Sequence, residues 1–348
     1  MPLTVAQSLL SVEDLRVRFH TDDGVVRAVD GVSFGVEKGR TLGIVGESGC
    51  GKSVANLSIL GLTRASNTEI SGRIVFDGID LNELEAEDLR HIRGNRIAMI
   101  FQDPLSSLHP FYKVGKQIVE AIQVHQELND DQARARAIDL LGLVGIPDPP
   151  RRIDEYPHEF SGGMRQRAMI AMALANDPEV LIADEPTTAL DVTTQAQILK
   201  LIERLQAELG MAVVLITHDL GVVAEVADDV MVMYAGRVVE SGSLDDIFYD
   251  PQHPYTWGLL GSVTRLDRSR ASRLAQVKGQ PPSLVRPPQG CHFRPRCPHE
   301  FDKCPQVPGL EHRGGSTGHL DRCWLSAEQK KALRVLSTGE IGLEEPAA

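Results

Sequence analysis

Between about Leu9 and Gly242, apolar and polar positions follow two alternating rhythms. Short runs of β-branched residues read as strands, and the stretches between them carry apolar residues at helical spacing, the layout of an α/β layered domain. Thr41–Val45, Val180–Asp184 and Ala212–Thr217 are predicted as buried strands. Ile70–Gly78 and Val230–Glu240 are predicted as antiparallel pieces, the second turning at Ala235–Gly236. From about Asp103 to Asn176 the rhythm is mainly helical, broken by Pro147, Pro149 and Pro150, which predicts a helical lobe beside the sheet core. After Gly242 the pattern dissolves into Pro251, Pro254, a basic stretch around Arg265–Arg273, and the proline pairs 281–282 and 287–288. The expected organisation is a main domain over 1–260 with its helical lobe at about 103–176, a linker over 261–290, a cysteine-rich module over 291–338 and a tail over 339–348.

Composition narrows the function classes. No run of about 18 apolar residues occurs, and the start of the chain lacks the basic-then-apolar layout of a signal peptide, so a cytosolic protein is expected. A formal net charge of −12, from 36 Lys and Arg against 48 Asp and Glu, argues against nucleic acid or anionic lipid as a partner. Contact with a membrane is therefore expected to run through a protein. Of the five cysteines, Cys50 stands alone while Cys291, Cys297, Cys304 and Cys323 fall within the last 58 residues.

Two motifs carry chemistry. Gly46-Glu47-Ser48-Gly49-Cys50-Gly51-Lys52-Ser53 has the form GxxxxGK[ST] after a predicted strand and before a helical pattern, the context of a phosphate loop. Its glycines let backbone N–H groups turn inward on an anion, Lys52 reaches the outer phosphates and the Ser53 hydroxyl can ligate Mg²⁺. Cys50 reads as a small packing residue of that loop. Val180-Leu181-Ile182-Ala183-Asp184-Glu185 is an apolar strand ending in two carboxylates, which suit a cation at Asp184 and a water activated by Glu185.

About twenty residues before that strand, Phe160-Ser161-Gly162-Gly163-Met164-Arg165-Gln166 resembles the signature motif of ABC (ATP-binding cassette) ATPases. The resemblance implies an ABC-type nucleotide-binding fold: a phosphate-loop core with helical and antiparallel β subdomains, here followed by the small cysteine-rich module. It implies ATP and Mg²⁺ as cofactors, with Gly46 to Val54 binding nucleotide and Ser53, Gln102 and Asp184 serving the metal. Gln102 resembles the glutamine that senses Mg²⁺ and γ-phosphate, Ala189-Leu190-Asp191 the D-loop, and His218, 33 residues after Glu185, the switch histidine. Glu185, His218 and Gln102 are thus the catalytic candidates. Phe19 resembles the residue that stacks on adenine, although Thr21–Gly24 reads as an insertion and a core role for the ring is the alternative. Ser161, Gly162 and Gly163 form a second anion site, which in this family completes the pocket of a partner cassette.

Val54 after the loop, Arg93-Gly94 before Ile97-Ala98-Met99-Ile100-Phe101-Gln102-Asp103-Pro104, His253-Pro254-Tyr255-Thr256 and Gly290-Cys291-His292-Phe293-Arg294-Pro295-Arg296-Cys297-Pro298 resemble the dipeptide and oligopeptide importers, with nickel importers close by. They are similar to the first of the two ATPase subunits such systems carry. The resemblance implies a similar but non-identical second cassette, two transmembrane permeases docking around Gln102–Gln117, an extracytoplasmic binding protein and a place on the cytoplasmic face of the membrane. An ABC ATPase acting on DNA or ribosomes, and an iron–sulfur sensor regulated by ATP, are the readings from other classes. Against the first stand the acidic net charge and the absence of a long heptad arm, a zinc-hook CxxC and a second cassette, and the second leaves the hydrolytic residues without a purpose. Cys291, Cys297, Cys304 and Cys323, separated by five, six and eighteen residues, are expected to bind one [4Fe–4S] cluster, with Zn²⁺ as the rival and scattered buried thiols as the third reading.

Overall fold

The structure is a computed structural model describing residues 8–188, 190–262, 277–313 and 316–338. The first part of the chain forms β1 (Leu10–Thr21), β2 (Gly24–Val36), β3 (Thr41–Val45), β4 (Thr68–Phe76), β5 (Ile79–Asp80) and β6 (Ile97–Ile100). After the helical lobe come β7 (Val180–Asp184), β8 (Ala212–Thr217), β9 (Asp229–Tyr234), β10 (Arg237–Ser243) and β11 (Leu320–Asp321). They build a four-stranded antiparallel sheet, β2-β1-β4-β5, and a seven-stranded sheet, β11-β10-β9-β3-β8-β7-β6. The run from β9 to β6 is parallel, while β10 and β11 continue it antiparallel.

The strands predicted at Thr41–Val45, Val180–Asp184 and Ala212–Thr217 have those bounds, and every residue in them is buried. Alternate side chains explain why both faces are covered. Leu181, Ala183, Val213 and Leu215 enter one core with Ile118, Leu140 and Ile170 of the helical lobe. Val180, Ile182, Val214 and Ile216 enter a second core with Leu15, Val17 and Ile74 of the antiparallel sheet. The β9–β10 hairpin turns at Ala235 (φ 45°) and Gly236 (φ 81°), both left-handed, which matches the twist of a two-residue hairpin.

Two regions differ from the sequence reading. No hairpin was predicted around Thr21–Gly24, which forms the tip of the β1–β2 hairpin, with Thr21 opposite Gly24 and its hydroxyl donating to the Gly24 carbonyl at 2.8 Å. An irregularity at Glu13–Leu15, where Asp14 has φ 45°, interrupts the alternation that would have marked β1 in the sequence. The cysteine-rich segment is likewise no separately appended module. Asp321 and Leu320 of β11 pair with Glu240 and Ser241 of β10, so the segment ends by extending the central sheet. It shares a third core in which Phe293 packs with Tyr234, Tyr255 and Val239, and Cys291 and Cys297 lie against them. A buried pair fastens it there, with His319 Nε2 2.8 Å from Glu240 Oε1, and within the segment Lys330 Nζ donates to Asp321 Oδ2 at 2.6 Å. Part of the expected linker, 263–276, and the expected tail at 339–348 lie outside the described residues.

Candidate active site

The C-terminal ends of β3, β8, β7 and β6 lie side by side, and each delivers one part of the site. After β3 the chain makes the phosphate loop. A Cβ on Gly46 would collide with the Met233 carbonyl, and one on Gly51, held at φ 102°, with the Ala28 carbonyl, so this path demands glycine at both positions. Ser48 and Gly49 are exposed, Glu47 and Ser53 half-buried and Cys50 buried. Burial raises the Cys50 thiol pKa, against the pull of Lys52, which suits packing rather than nucleophilic chemistry. Lys52 is buried, and its Nζ donates to the Gly46 carbonyl at 2.7 Å and the Glu47 carbonyl at 3.1 Å, filling the hollow of the loop with positive charge. Val54, two residues on, packs half-buried against the second core.

After β7 come Asp184 and Glu185. Asp184 is buried beside the Ser53 hydroxyl, and its Oδ1 has no hydrogen-bond partner. Burial pushes its carboxyl pKa up; the Ser53 hydrogen bond and the Lys52 charge offset this in part, while the Glu185 charge adds to it. Glu185 occupies the left-handed region at φ 46°, its N–H tied to the Ile216 carbonyl at 2.9 Å. A non-glycine residue there is strained, which points to a side chain aimed for a purpose.

That aim brings the three catalytic candidates together. Glu185 Oε2 accepts from Gln102 Nε2 at 3.0 Å and from the Thr188 hydroxyl at 2.9 Å, while Oε1 lies 3.3 Å from His218 Nδ1. Gln102 stands two residues past β6 and His218 one past β8, so neighbouring strand ends focus on one carboxylate. Gln102 and His218 are exposed, whereas the Glu185 side chain is mostly covered. Sequence reasoning missed Thr188, which a threonine three residues after the acidic pair could have signalled.

The signature residues sit elsewhere. Ser161 caps the helix Gly162–Ala173, its oxygen accepting from the Met164 N–H at 3.3 Å. Asp191 caps Val192–Leu209 through Thr194 N at 3.0 Å and its hydroxyl at 2.7 Å, and these bonds lower its carboxyl pKa. A Cβ on Gly163 would meet Thr194, so the two helix starts adjoin. None of these contacts reaches the phosphate loop. Phe19 lies in β1 opposite Val26 and Thr68, half-buried against the second core, and Ala189 is outside the described residues.

The four clustered cysteines line one small cavity together with Phe293, Trp324 and Leu325. Burial pushes the thiol pKa of Cys297 and of Cys323 up to about 12 and raises that of Cys291. No disulfide joins them, and among the described residues no group of three or more His, Cys, Asp or Glu is arranged to hold a metal ion. The ready-made metal module of the sequence reading is therefore not found in this geometry.

The ABC transporter family profile matches residues 29–188, and that of the oligopeptide/dipeptide transporter C-terminal region matches 239–304. The chain is 53% identical over 333 residues to the dipeptide transport ATP-binding protein DppD of Bacillus subtilis strain 168, covering 95% of this chain and 98% of that one. This chain belongs to the ATP-binding subunits of the ABC peptide transporters. The cassette is also 54% identical over 322 residues to the oligopeptide transport protein OppD of the same organism, with 91% and 88% covered. OppD of Escherichia coli K12 is 48% identical over 324 residues, with 93% and 95% covered. Among solved structures it resembles a dimeric cassette, MJ0796, bound to ADP and Pi, with a TM-score of 0.61 and 27% identity over 68% of this chain and 98% of that one. It is accordingly an ABC-type ATPase, and among its described residues no helix is long and apolar enough to cross a membrane.

Proposed function

We propose that this cassette powers the uptake of dipeptides or oligopeptides, hydrolysing ATP on the cytoplasmic face of a membrane as one of two similar but non-identical ATPase subunits. The observation that carries the reading is the meeting of Gln102, Thr188 and His218 on the Glu185 carboxylate, next to Lys52, Ser53 and Asp184. Lys52 exchanges the loop carbonyls for the outer phosphates of ATP, and the loop N–H groups cradle the others. Ser53, Asp184 and Gln102 would hold Mg²⁺, and the unpartnered buried Asp184 oxygen suits a cation ligand. Bound there, Mg²⁺ neutralises charge on the phosphate oxygens. Glu185 orients the attacking water and takes its proton, held for that by Gln102 and Thr188, and His218 stands where it can contact the γ-phosphate. Phe19, half-buried at the edge of the second core, would stack on adenine.

Ser161, Gly162, Gly163 and Asp191 would complete the nucleotide pocket of the second cassette, which agrees with their neighbours being Met164 and Thr194 rather than the phosphate loop. Two transmembrane permeases would dock on the helical lobe, where a groove of about 670 Å³ runs past Leu62, Phe101, Val124 and Met172. Phe111 is 82% exposed nearby in sequence, within the expected docking stretch Gln102–Gln117. An extracytoplasmic binding protein would select the peptide. Reconstitution with the cognate partners tests this. Peptide uptake into vesicles that requires ATP and an intact Glu185 is expected, and uptake of nickel instead of peptide would reassign the solute.

For Cys291, Cys297, Cys304 and Cys323 we infer a structural [4Fe–4S] cluster. The support is that all four cysteines line one small cavity, and that their sequence spacings of five, six and eighteen residues, with no close CxxC knuckle, suit a cluster better than Zn²⁺. Protein purified without air should be brown with broad absorbance near 400 nm, lost on Cys→Ser substitution; a colourless preparation with one zinc per chain would overturn it.

A further inference from the structure

The second residue of the phosphate loop is gripped from the C-terminal segment. The Glu47 carboxylate accepts two parallel hydrogen bonds from Arg296, Nη1 to Oε2 at 2.6 Å and Nη2 to Oε1 at 2.9 Å. Such a fork fixes direction as well as distance. Only 5% of the Arg296 side chain is exposed. Its remaining bonds go to the Tyr234 hydroxyl and to the carbonyls of Val277, Lys278 and Gly279, at 2.8 to 3.2 Å. All three guanidinium nitrogens are thus engaged, and the group cannot swing away without losing six hydrogen bonds. The rest of Glu47 is held as well: its N–H donates to the Tyr255 hydroxyl at 3.0 Å, and its carbonyl receives Lys52.

We propose that Arg296 is a positioning residue for ATP binding, which fixes Glu47 and cancels its charge at the mouth of the phosphate loop. The loop must admit a polyanion, and an unpaired carboxylate within the loop opposes that approach. A neutral residue would avoid the repulsion, but a carboxylate clamped by a buried fork gives the loop a fixed anchor as well. Arg296 follows buried Phe293 and precedes Cys297 on the turn Arg294–Arg296, so its side chain ties the segment carrying the cysteines directly to the nucleotide site. The inference rests on the nucleotide-site reading and does not need a cluster at the cysteines.

Equilibrium binding of MgATP to the full-length chain, with kcat and KM of the assembled transporter, tests it. Arg296→Ala should weaken MgATP binding and raise KM about ten-fold with kcat changed by less than about two-fold, because the residue touches the loop and not the reacting atoms. Arg296→Lys, which keeps the charge but not the fork, should fall between, and it carries the test should the alanine variant fail to fold. The double variant Glu47→Gln with Arg296→Ala or Arg296→Lys should bind better than the arginine variant alone, because the opposing charge is gone. Binding by the arginine variants within about two-fold of the parent, or losses that add in the double variants, would overturn the proposal. Lys52→Ala is measured alongside: normal binding by that variant would show that the nucleotide site itself is misplaced, and the proposal would fall with it.

Discussion

Replacing Glu185 by Gln separates binding from chemistry more sharply than any other change. The side chain keeps its length, and the single amide oxygen can still accept from Gln102 or Thr188, which now donate at 3.0 and 2.9 Å. What is lost is the second carboxylate oxygen, the one facing His218 at 3.3 Å, and with it the capacity to accept a proton. No hydrogen bond joins Glu185 to Lys52 or to the loop glycines, so MgATP affinity should stay within about three-fold of the parent. Turnover should fall about 10²- to 10⁴-fold, the range for losing a positioned general base, or about 3 to 5.5 kcal/mol of barrier. The strained backbone at φ 46° is common to both residues and cancels in the comparison. Phosphate release by the assembled complex measures the first effect, and equilibrium nucleotide binding the second. Turnover within about three-fold of the parent, or loss of MgATP binding, would refute the assignment of Glu185 as the base.

Lys52→Ala should show the opposite split, weakening MgATP binding by about 10- to 150-fold as one charge-assisted contact to phosphate disappears; equilibrium binding reads it directly. The isolated chain should hydrolyse ATP poorly and gain activity on assembly, since Ser161–Gly163 do not reach their own phosphate loop; high activity at any dilution would refute the shared pocket. Removing Lys330, buried at 2.6 Å from buried Asp321, should cost about 3 kcal/mol in urea unfolding. That is the low end for a broken buried pair, because burial already raises the Asp321 pKa and eases its protonation. Burial alone would lower the His319 pKa, but Glu240 at 2.8 Å, with Asp246 and Asp250, raises it overall. The pair should therefore stabilise fully below about pH 6.5 and weaken as pH climbs through the raised value, so His319→Gln should cost more stability at pH 6 than at pH 9.

The sequence by itself determined the chemistry and the parallel core. Buried parallel strands must be apolar on both faces, so β3, β7 and β8 announced themselves as runs of Val, Ile, Leu and Ala. A phosphate loop needs glycine where any Cβ would strike a carbonyl, as at Gly46 and Gly51, and that demand is written in the residues themselves. Tertiary structure decided what lies between distant segments. That Gln102, Glu185 and His218 share one carboxylate follows from the order of β6, β7 and β8 in the sheet, which no local pattern encodes. The β1–β2 hairpin was hidden because a bulge at Asp14 breaks its alternation. The cysteine segment looked detachable because it is proline-rich and poor in apolar runs; it is held instead by β11 pairing and by buried charges contributed from both sides, Glu240 with His319. The grip of Arg296 on Glu47 spans 249 positions, and a contact between two polar residues so far apart leaves no periodicity for a sequence to show.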